Sequence, residues 1–489
     1  MSQPQRIAIV HYHLRPGGVT SVIGTAVNAL RNKNVQVAVL TGGPAPEPRV
    51  LPEQVAIEGL NYSTAEKGSI SAADIVTRLR STARKALGGA PDLWHFHNHS
   101  IGKSCALTGA VHLLAAAGEK LLLQLHDFAE DGRPANYHLL LDELGQGDPA
   151  RLAALMYPQG THVHYASLNA RDRGFLCHAG IPADRVHLLP NAIGLNHVPQ
   201  PEANHGTGPR LFLYPTRAIR RKNLGEFLLW SALAEPRDRF ASTLFPTSPA
   251  DRVVYDRWVE FATQEKLPVD FGIGQKRDIP MIELLASAHA VVSTSVAEGF
   301  GLAFLEPWLA HRPLLGRDIP DITAGFLDEG LDLSLLYTRL LVPIETVGRD
   351  TLTTRITAAM RELFTSYHRD LKPGDVEAAM NAATEGDAVD FGRLDEALQQ
   401  VVIQRIRKDT SLRAALQPNA LRVDGREPTL LQHNEAVVRK AYNIEQYGTR
   451  LQRIYDAIQS STPSPLDSIS GEKLLDAFLA PERFFLLRT

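Results

Sequence analysis

The stretch from Ser293 to Glu306, with the sequence STSVAEGFGLAFLE, most constrains how this chain can fold. The run HAVVSTSV, which overlaps its start, predicts a buried parallel strand, and GLAFLEPWLA after it has the apolar spacing of a helix. Glu298 then lies on a strand-to-helix loop, and we expect Glu306 to face the same end of the sheet. In an open α/β sheet, ligands bind at that end, outside the carboxyl ends of the strands.

Two glycines in this stretch bear on ligand binding. Gly299 and Gly301 let the loop backbone approach a ligand closely, because glycine has no side chain. An alternative needs no ligand. Glu298 and Glu306 are then solvated carboxylates near a helix N-terminus, where the helix dipole favours negative charge.

The two glutamates, separated by seven residues that include GFG, resemble the E-x7-E motif of retaining nucleotide-sugar glycosyltransferases with the GT-B fold, of the family 4 type. The resemblance implies an α/β chain of two Rossmann-like, doubly wound domains facing each other across a cleft, with a helical insertion and C-terminal helices. It also implies a catalytic Glu298 that binds the hydroxyls of the donor sugar, and a Glu306 that binds the ribose. The other donor-binding residues that it implies here are Gly299, Phe300, Gly301 and Leu302.

Composition sets outer limits on the fold and on the partners. With 489 residues, 44% of them hydrophobic and 21% charged, the chain has room for two or three hydrophobic cores. A net charge of −3 gives no general attraction to nucleic acid, which we do not expect as a partner. Cys105 and Cys177 are the only cysteines, which excludes a disulfide framework and suits a reducing cytoplasm.

Neither a secretion signal nor a membrane span is predicted. The N-terminal sequence MSQPQRIAIV reaches a predicted strand without the basic and apolar segments of a signal peptide. The most apolar region, from Leu107 to Leu125, is interrupted by polar and charged residues, so we expect no transmembrane segment. The sequence therefore predicts a cytoplasmic protein, and homo-oligomerisation is left open.

In the first predicted domain, Gly17 and Gly18 lie in a tight turn between the strand RIAIVHYH and a helix. Backbone N–H groups and the positive end of the helix dipole make such a turn an anion site. Most glycine pairs are merely turns, however, and the G-x-G-x-x-G fingerprint is absent. The resemblance assigns to Gly17 and Gly18 the diphosphate of the donor.

A later strand, DLWHFHNH, places His95, His97 and His99 on one face. A metal site is one interpretation, but no carboxylate or cysteine accompanies the histidines at the usual ligand spacing. Ordinary packing or a ligand pocket, with His97 as a candidate for binding the acceptor, are the alternatives. We expect no metal and no other cofactor.

The predicted strand KLLLQL is followed by a group of polar residues at its carboxyl end, where ligand-binding residues are expected. Members of the family have a functional histidine at this point, near the donor sugar and the acceptor, so the resemblance implies a catalytic His126. A hydrogen-bonded structural histidine is the alternative. The residues that follow are candidates for binding acceptor hydroxyls, unless they form a solvated loop: Asp127, Glu130, Asp131 and Arg133.

The second predicted core starts with RLFLYPTRAIRRKNLGEFLLW. Arg217 and Lys222 match the family's R-x4-K element at the end of a strand and the start of a helix. The resemblance implies that both bind the donor diphosphate and stabilise its charge during catalysis. The alternative is a solvated basic face.

The domain boundaries follow from these patterns. Residues 318–422 exceed the usual length of the family and indicate a mainly helical insertion to which the sequence assigns no chemistry. The predicted parts are an N-terminal acceptor-side domain, 1–195; a linker, 196–209; a nucleotide-sugar-binding domain, 210–430; and C-terminal helices that cross back to the first domain, 431–489.

Together these features predict a retaining glycosyltransferase that moves a hexose from a nucleoside-diphosphate sugar to a small hydroxylated acceptor. The departing diphosphate gains negative charge, which cationic side chains can stabilise without a metal. Two alternatives stay open. One is a nucleotide-sugar epimerase or hydrolase with the same fold, and the other is a noncatalytic sugar-nucleotide sensor.

Overall fold

The fold is described from a computed structural model of the chain, over residues 3–31, 33–43, 54–62, 70–194, 208–277, 279–416, 421 and 427–488. The chain forms two compact units. Unit 1 comprises Met1–Ala192 and Tyr442–Leu479, and unit 2 comprises Ile193–Ala441 and Ala480–Thr489. Residues 196–207 of the predicted linker lie outside the described residues. Within the described ranges, no helix is both long and apolar enough to cross a bilayer.

Unit 1 is built on a sheet with the strand order β3-β2-β1-β4-β5-β6-β7, in which all paired strands are parallel. The central strands are buried along their whole length, as expected of a parallel sheet covered on both faces. The strands are β1 (Gln5–His11), β2 (Val35–Thr41), β3 (Gln54–Ala56), β4 (Leu93–His97), β5 (Leu121–Leu125), β6 (Val163–Ser167) and β7 (Val186–Leu188).

Several helices of unit 1 begin at side-chain caps. The hydroxyl of Ser71 accepts a hydrogen bond from the backbone of Asp74 in a capping box, and Ser104 and Asn169 cap two later helices. The helices between the strands are α1 (Gly18–Leu30), α2 (Ala72–Leu87), α3 (Cys105–Ala116), α4 (Pro134–Leu140), α5 (Pro149–Met156) and α6 (Ala170–Ala179).

Unit 2 has a second parallel sheet, in the order β10-β9-β8-β11-β12-β13, and a small antiparallel sheet in the order β14-β16-β15. The antiparallel sheet lies within the segment predicted as a helical insertion. The strands are β8 (Arg210–Arg217), β9 (Asp238–Leu244), β10 (Val269–Asp270), β11 (Ala290–Ser293), β12 (Leu314–Arg317), β13 (Leu336–Tyr337), β14 (Leu341–Pro343), β15 (Thr384–Glu385) and β16 (Ala388–Asp390).

Helices of unit 2 surround its parallel sheet and form most of residues 318–416. They are α7 (Leu224–Ala232), α8 (Pro249–Gln264), α9 (Ile273–Arg277), α10 (Met281–Ser287), α11 (Glu306–Leu309), α12 (Pro320–Asp328), α13 (Arg349–Thr365), α14 (Asp375–Ala383), α15 (Glu396–Lys408), α16 (Thr410–Leu416) and α17 (Glu427–Ala441). The chain then returns to unit 1 with α18 (Ile444–Gln459) and α19 (Gly471–Phe478).

Helix α18 completes the core of unit 1, although it comes from the far end of the chain. Its buried face includes Tyr447, Leu451 and Tyr455, which share one hydrophobic cluster with Ile7 and Ile23 of the N-terminal part. Burial of such large side chains is the main stabilising contribution to a domain core. Unit 1 is therefore assembled from two distant parts of the sequence.

In both parallel sheets the strand order reverses beside the first strand, between β1 and β4 in unit 1 and between β8 and β11 in unit 2. The connections after these neighbouring strands leave toward opposite faces of the sheet, which opens a crevice at the carboxyl ends of the strands. The two crevices identify the loops in which functional residues are expected.

Candidate functional site

The crevice of unit 2 brings the two sequence motifs together. β8 ends at Arg217 and is followed by a 3-10 turn, Arg220–Lys222. β11 is hydrogen-bonded to β8 and is followed by the loop that carries Glu298. The R-x4-K element and the first glutamate of the E-x7-E motif therefore both lie where the strand order reverses, which we call the switch point of the sheet.

Lys222 and Glu298 form an ion pair in which Lys222 Nζ donates to Glu298 Oε1. The Lys222 and Glu298 side chains are only 15% and 8% exposed. Burial alone would raise the pKa of Glu298, but the charges of Lys222 and Arg221, with hydrogen bonds from Lys222 and Ser295, outweigh it and hold that pKa below its ordinary value. Glu298 is therefore ionised at neutral pH and can accept hydroxyl hydrogens.

Hydroxyl groups fix the turn that carries Lys222. Tyr214 OH donates to the carbonyl oxygen of Lys222 at 2.9 Å. Thr294 Oγ1, from the loop after β11, lies 3.2 Å from that oxygen and 3.0 Å from the carbonyl oxygen of Asn223. These bonds join the turn after β8 to the loop after β11, so the two motifs are held in one arrangement.

The other cations near this turn have different environments. Arg217 is exposed, and among the described residues its side chain makes one hydrogen bond, from Nη1 to Thr247 Oγ1 at 3.1 Å. Its other N–H groups remain for a ligand. Arg220 instead binds both carboxylate oxygens of Glu396, at 2.6 and 3.0 Å. Arg220 therefore contributes to structure, and Arg217 is the better placed of the two to bind an anion.

Glu306, the second glutamate of the motif, is the first residue of α11. No described residue makes a hydrogen bond to its carboxylate, and burial raises its pKa to about 7. A partly buried carboxylate without a partner is costly, and hydroxyl donors of a ligand would relieve that cost. The position suits the expected contact with a ribose.

The predicted helix after Glu298 is shorter than its apolar spacing suggests. Gly301 has a φ of 91°, and a Cβ there would lie 2.9 Å from the Phe304 ring, so glycine is required. A 3-10 turn, Leu302–Phe304, precedes the four-residue helix α11, whose second residue, Pro307, has no backbone N–H. The loop therefore extends as far as Glu306.

The side chains of the GFGL segment point to different roles. Phe300 is buried and packs edge to face against Phe326, with 5.6 Å between ring centroids. Any contact of Phe300 with a donor would involve its backbone. Leu302 is exposed, and Gly299 is partly exposed beside it. The structure places all four residues on the predicted loop, with the Phe300 ring in the interior.

Unit 1 has a pocket at its own switch point, with an empty volume of about 510 Å³. Gly17 and Gly18 line it, and so does Asp127, which follows β5. Helix α1 begins here without a side-chain cap and without an acidic residue in its first turn, so its N–H groups and positive dipole end remain available to an anion. A Cβ at Gly18 would meet nothing within 4 Å, which leaves room for a ligand.

Three imidazole rings stack at the ends of β4 and β5. The ring centroids of His95 and His97 are 4.3 Å apart, those of His97 and His126 are 5.2 Å apart, and His97 Nδ1 lies 2.9 Å from His126 Nε2. Burial lowers the pKa of His95 to about 3 and, against a smaller opposing effect of Asp127, that of His126 to about 4. These rings are therefore neutral at pH 7.

His99 does not join this stack, contrary to the alternation expected from the sequence. β4 ends at His97, and Asn98 adopts a left-handed φ of 54°, which ends the strand alternation. His99 Nε2 then donates to the carbonyl oxygen of Met156 at 2.8 Å. In the part of the chain that the structure describes, no group of three or more His, Cys, Asp or Glu side chains is arranged to hold a metal ion.

The side chain of Asn98 ties the ends of β4 and β5 together. Its Oδ1 accepts from the backbone N–H groups of His126 and Asp127, at 2.7 and 3.1 Å, and its Nδ2 donates to Asp127 Oδ2 at 3.2 Å. Arg133 Nη2 donates to the other oxygen of Asp127 at 2.6 Å. His97, His126, Asp127 and Arg133 therefore form one hydrogen-bonded group.

Comparison with known proteins agrees with this geometry. Residues 16–197 match the family model of Glycosyltransferase Family 4. The mannosylglucosyl-3-phosphoglycerate synthase of Petrotoga mobilis is 24% identical over 517 residues, covering 98% of each chain. The crystal structure of HepE from Anabaena, in complex with UDP and glucose, has a TM-score of 0.52 at 13% identity and covers 92% of this chain and 99% of its own. This chain has the GT-B fold.

A second GT-B structure, a glycosyltransferase from Rickettsia africae, has a TM-score of 0.51 at 13% identity and covers 94% of this chain and all of its own. The GT-B fold and the resemblance to family 4 glycosyltransferases, both predicted from the sequence, are confirmed. The family match falls in unit 1 of the GT-B chain.

Glu130 lies apart from the other acceptor-binding candidates of the GT-B chain. It is buried, and both of its carboxylate oxygens accept from Tyr157 OH at 3.1 Å. Burial raises the pKa of Glu130 to about 7. Of the acceptor-binding candidates, only Asp127 is among the residues that line the pocket of unit 1.

Sequence reasoning missed several lining residues of that pocket. His11 is the last residue of β1, His13 and Arg15 follow it, and Tyr62 and Asn98 also line the pocket. The signal for the first three was present, because HYHLRP stands at the carboxyl end of the first strand. Tyr62 carried no such signal.

Proposed function

We propose that this GT-B protein is a retaining glycosyltransferase that transfers a hexose from a nucleoside-diphosphate sugar to a small hydroxylated acceptor. The observation that carries the proposal is the buried Lys222–Glu298 pair beside Arg217 at the switch point of unit 2. A cation and a carboxylate held together there can serve the two halves of one donor, its diphosphate and its sugar.

The roles follow from the charges that develop. Cleavage of the sugar–phosphate bond leaves positive character on the sugar ring and negative charge on the diphosphate, so fixed cations lower the barrier. The Lys222 ammonium has three N–H donors, one of which goes to Glu298, and the others can bind the diphosphate together with Arg217. Glu298 would bind the sugar hydroxyls and Glu306 those of the ribose.

Retention is proposed on the placement of groups in unit 2. Of the two carboxylates of the motif, neither is left to attack the anomeric carbon, because Glu298 is paired with Lys222 and Glu306 is assigned to the ribose. We therefore infer attack on the same face from which the diphosphate leaves. The acceptor oxygen bonds to the anomeric carbon, the carbon–oxygen bond to the diphosphate breaks, and the acceptor proton passes to a diphosphate oxygen.

The acceptor is proposed to carry an anionic group. The name of the Petrotoga relative describes a product that contains 3-phosphoglycerate. In this chain, Arg15 lines the pocket of unit 1, and Lys103 Nζ lies 5.6 Å from the ring centroid of Tyr62, another lining residue. These two cations would favour a phosphate or carboxylate on the acceptor, while the N-terminus of α1 at Gly17 and Gly18 stays assigned to the donor diphosphate.

The test is a transfer assay with a panel of UDP-, GDP-, ADP- and TDP-sugars, including glucose and mannose donors. The acceptors are glucosyl-3-phosphoglycerate and, as a neutral control, methyl glucoside. We expect transfer to the anionic acceptor, with the anomeric configuration of the donor kept in the product by NMR. Because the diphosphate is bound by side chains, activity should also survive EDTA.

The assay separates the alternatives. Free sugar or an epimerised donor without acceptor would indicate a hydrolase or an epimerase, and donor binding without any product across the panel would indicate a sensor. Arg15→Ala should raise the KM of the anionic acceptor and leave that of a neutral acceptor unchanged. Arg361→Ala is the control, since Arg361 is an exposed residue of α13.

A further inference from the structure

The segment to which the sequence assigned no chemistry reaches the turn that carries Lys222. Gln399, on α15, is fully buried, and its Nε2 donates to Asn223 Oδ1 at 2.8 Å and to the carbonyl oxygen of Phe391 at 3.2 Å. Asn223 directly follows Lys222 in the chain. Gln399 thus forms a hydrogen bond to the residue after Lys222, although 176 positions separate Gln399 from Asn223.

Asn223 has an unusual backbone conformation. Its φ of 51° and ψ of 57° are left-handed, a conformation that residues with a Cβ rarely adopt and that Asn adopts when its side chain is hydrogen-bonded locally. Its side chain is bound on both sides, because Nδ2 donates to Glu226 Oε2 at 2.8 Å while Oδ1 accepts from Gln399. These bonds hold Asn223 in this conformation, which sets the direction in which Lys222 leaves the turn.

A second connection runs from the same segment to Asn223 through charged groups. Asp390, at the end of β16, accepts from Arg317 Nη1 and Nη2 at 2.9 and 2.7 Å. Arg317 Nη2 also donates to Glu226 Oε2 at 2.7 Å, and all three side chains are buried. Loss of one of the three side chains would leave a buried charge without its partner. The ion pairs therefore hold Glu226 in a fixed position.

We propose that Gln399 is a positioning residue for catalysis: by holding Asn223, it sets the Lys222 ammonium against Glu298 and the donor diphosphate. This inference rests on the proposed function for its catalytic consequence. The diphosphate gains charge as its bond breaks, so a displaced ammonium lowers kcat more than it weakens binding of the donor. Misplacement by about 1 Å is enough to cost as much as 10²-fold in rate.

A purely structural role makes a different prediction. Gln399 also packs tightly, since a Cβ at Gly225 of α7 would lie 2.0 Å from Gln399 Oε1. If packing of α15 against α7 were its whole role, substitution would lower the melting temperature and leave Lys222 and kcat as they are. The two roles therefore differ in kcat and in the environment of Glu298.

The experiment uses Gln399→Met, which keeps the length of the side chain and removes both donated hydrogen bonds. Gln404→Met is the matched control on the same helix, because Gln404 is exposed and donates to Glu265 Oε1 at 3.0 Å. We expect Gln399→Met to lower kcat by about 10- to 100-fold, with a much smaller change in donor Kd. An unchanged kcat, or an equal loss in Gln404→Met, would overturn the proposal.

A second readout does not depend on turnover. If Lys222 moves away from Glu298, burial of that carboxyl is no longer offset and its pKa rises. 13C NMR titration of the glutamate carboxyls, assigned with Glu298→Gln, should show this rise in Gln399→Met and not in Gln404→Met. If Glu298 in Gln399→Met titrates as in the unsubstituted protein, the positioning role of Gln399 is wrong. If the unsubstituted protein has no transferase activity, only the proposed function is wrong.

If Gln399→Met fails to fold, Asn223→Gly replaces it. Glycine accepts the left-handed conformation but makes neither side-chain hydrogen bond, so the turn remains sterically allowed while its support is lost. The same fall in kcat and the same rise in the pKa of Glu298 are expected. Normal values of both would count against the inference.

Discussion

Lys222 and Glu298 form a buried ion pair although 76 residues separate them in the chain. The pairing follows from topology, because the strands that deliver them, β8 and β11, are hydrogen-bonded neighbours on either side of the point where the strand order reverses. Each partner offsets the cost of burying the other. The pair therefore couples the charge of the carboxylate that is proposed to bind the sugar to the cation that is proposed to bind the diphosphate.

Removal of a cation that is proposed to bind the diphosphate should lower the rate of transfer more than it weakens binding. Arg217→Ala or Lys222→Ala is expected to lower kcat by about 10² to 10³, the usual cost of losing one donor to a developing anion. Affinity for the free nucleoside diphosphate, measured by calorimetry, should weaken as well. Arg361→Ala controls for loss of an arginine elsewhere. Full activity of a folded Arg217→Ala variant would mean that the diphosphate binds somewhere else.

Arg220 is not a neutral comparison for this experiment, although it is the nearest arginine in the sequence to Lys222 apart from Arg221. Its bidentate pair with Glu396 ties the turn to α15. Arg220→Ala should therefore lower the melting temperature, which differential scanning fluorimetry would measure.

Donor binding should depend on pH through Glu306, whose pKa burial raises to about 7. The ionised carboxylate accepts two hydroxyl hydrogens, whereas the protonated form accepts fewer, so the Kd of the donor should fall as pH rises through 7. Glu306→Gln should flatten this dependence between pH 6 and 8 and weaken binding at the upper end. Isothermal titration at several pH values tests it, and an unaltered profile in Glu306→Gln would exclude the role.

His126→Asn is expected to lower turnover much more than stability, because His126 stands at the carboxyl end of β5 beside Asp127, in the hydrogen-bonded group at the pocket of unit 1. His99→Asn is the matched control, since His99 is equally interior but donates to Met156. Kinetics and thermal unfolding of both variants are compared. Equal losses of stability with normal kcat in both would make His126 a structural residue.

Acid should destabilise the protein through the neutral histidines of unit 1. Burial lowers the pKa of His11 and His95 to about 3 and that of His99 to about 4, while the unfolded chain takes up these protons near pH 6.5. Their contribution is thus complete above pH 6.5 and is lost progressively as pH falls toward 4, by about 1.4 kcal/mol per pH unit for each proton. Glu130 and Glu306, whose pKa values burial raises to about 7, act in the opposite direction but are two groups against these three histidines.

Urea denaturation between pH 7.5 and 5 measures this slope. His95→Gln should make it shallower by about one proton. A slope that does not respond to His95→Gln would show that His95 is not buried as a neutral ring.

The positions that sequence reasoning located best are those that follow a strand. Glu298, Lys222 and His126 each lie in the segment that follows a predicted parallel strand, within five residues of its end, and the carboxyl ends of such strands meet at one edge of the sheet. Local patterns suffice for this placement, because both the strand and the residue after it lie within about ten residues.

Contacts between distant segments could not be predicted in this way. Glu130 follows the same strand as His126, but its partner Tyr157 lies 27 residues further on and turns the carboxylate inward. Gln399 and Asn223 are separated by still more of the chain, and neither belongs to a motif. Such pairs depend on how helices pack on the sheet, which hydrophobic periodicity does not specify.

Helix α18 has a consequence for how the protein is made. The first 192 residues leave the ribosome without Tyr447, Leu451 and Tyr455, although these side chains belong to the core of unit 1. At roughly 5–20 residues per second, translation needs about 10 to 50 s more before Tyr442 is added. During that time the nascent N-terminal part of unit 1 exposes the apolar surface that α18 will cover, so unit 1 completes its folding only after α18 has been synthesised.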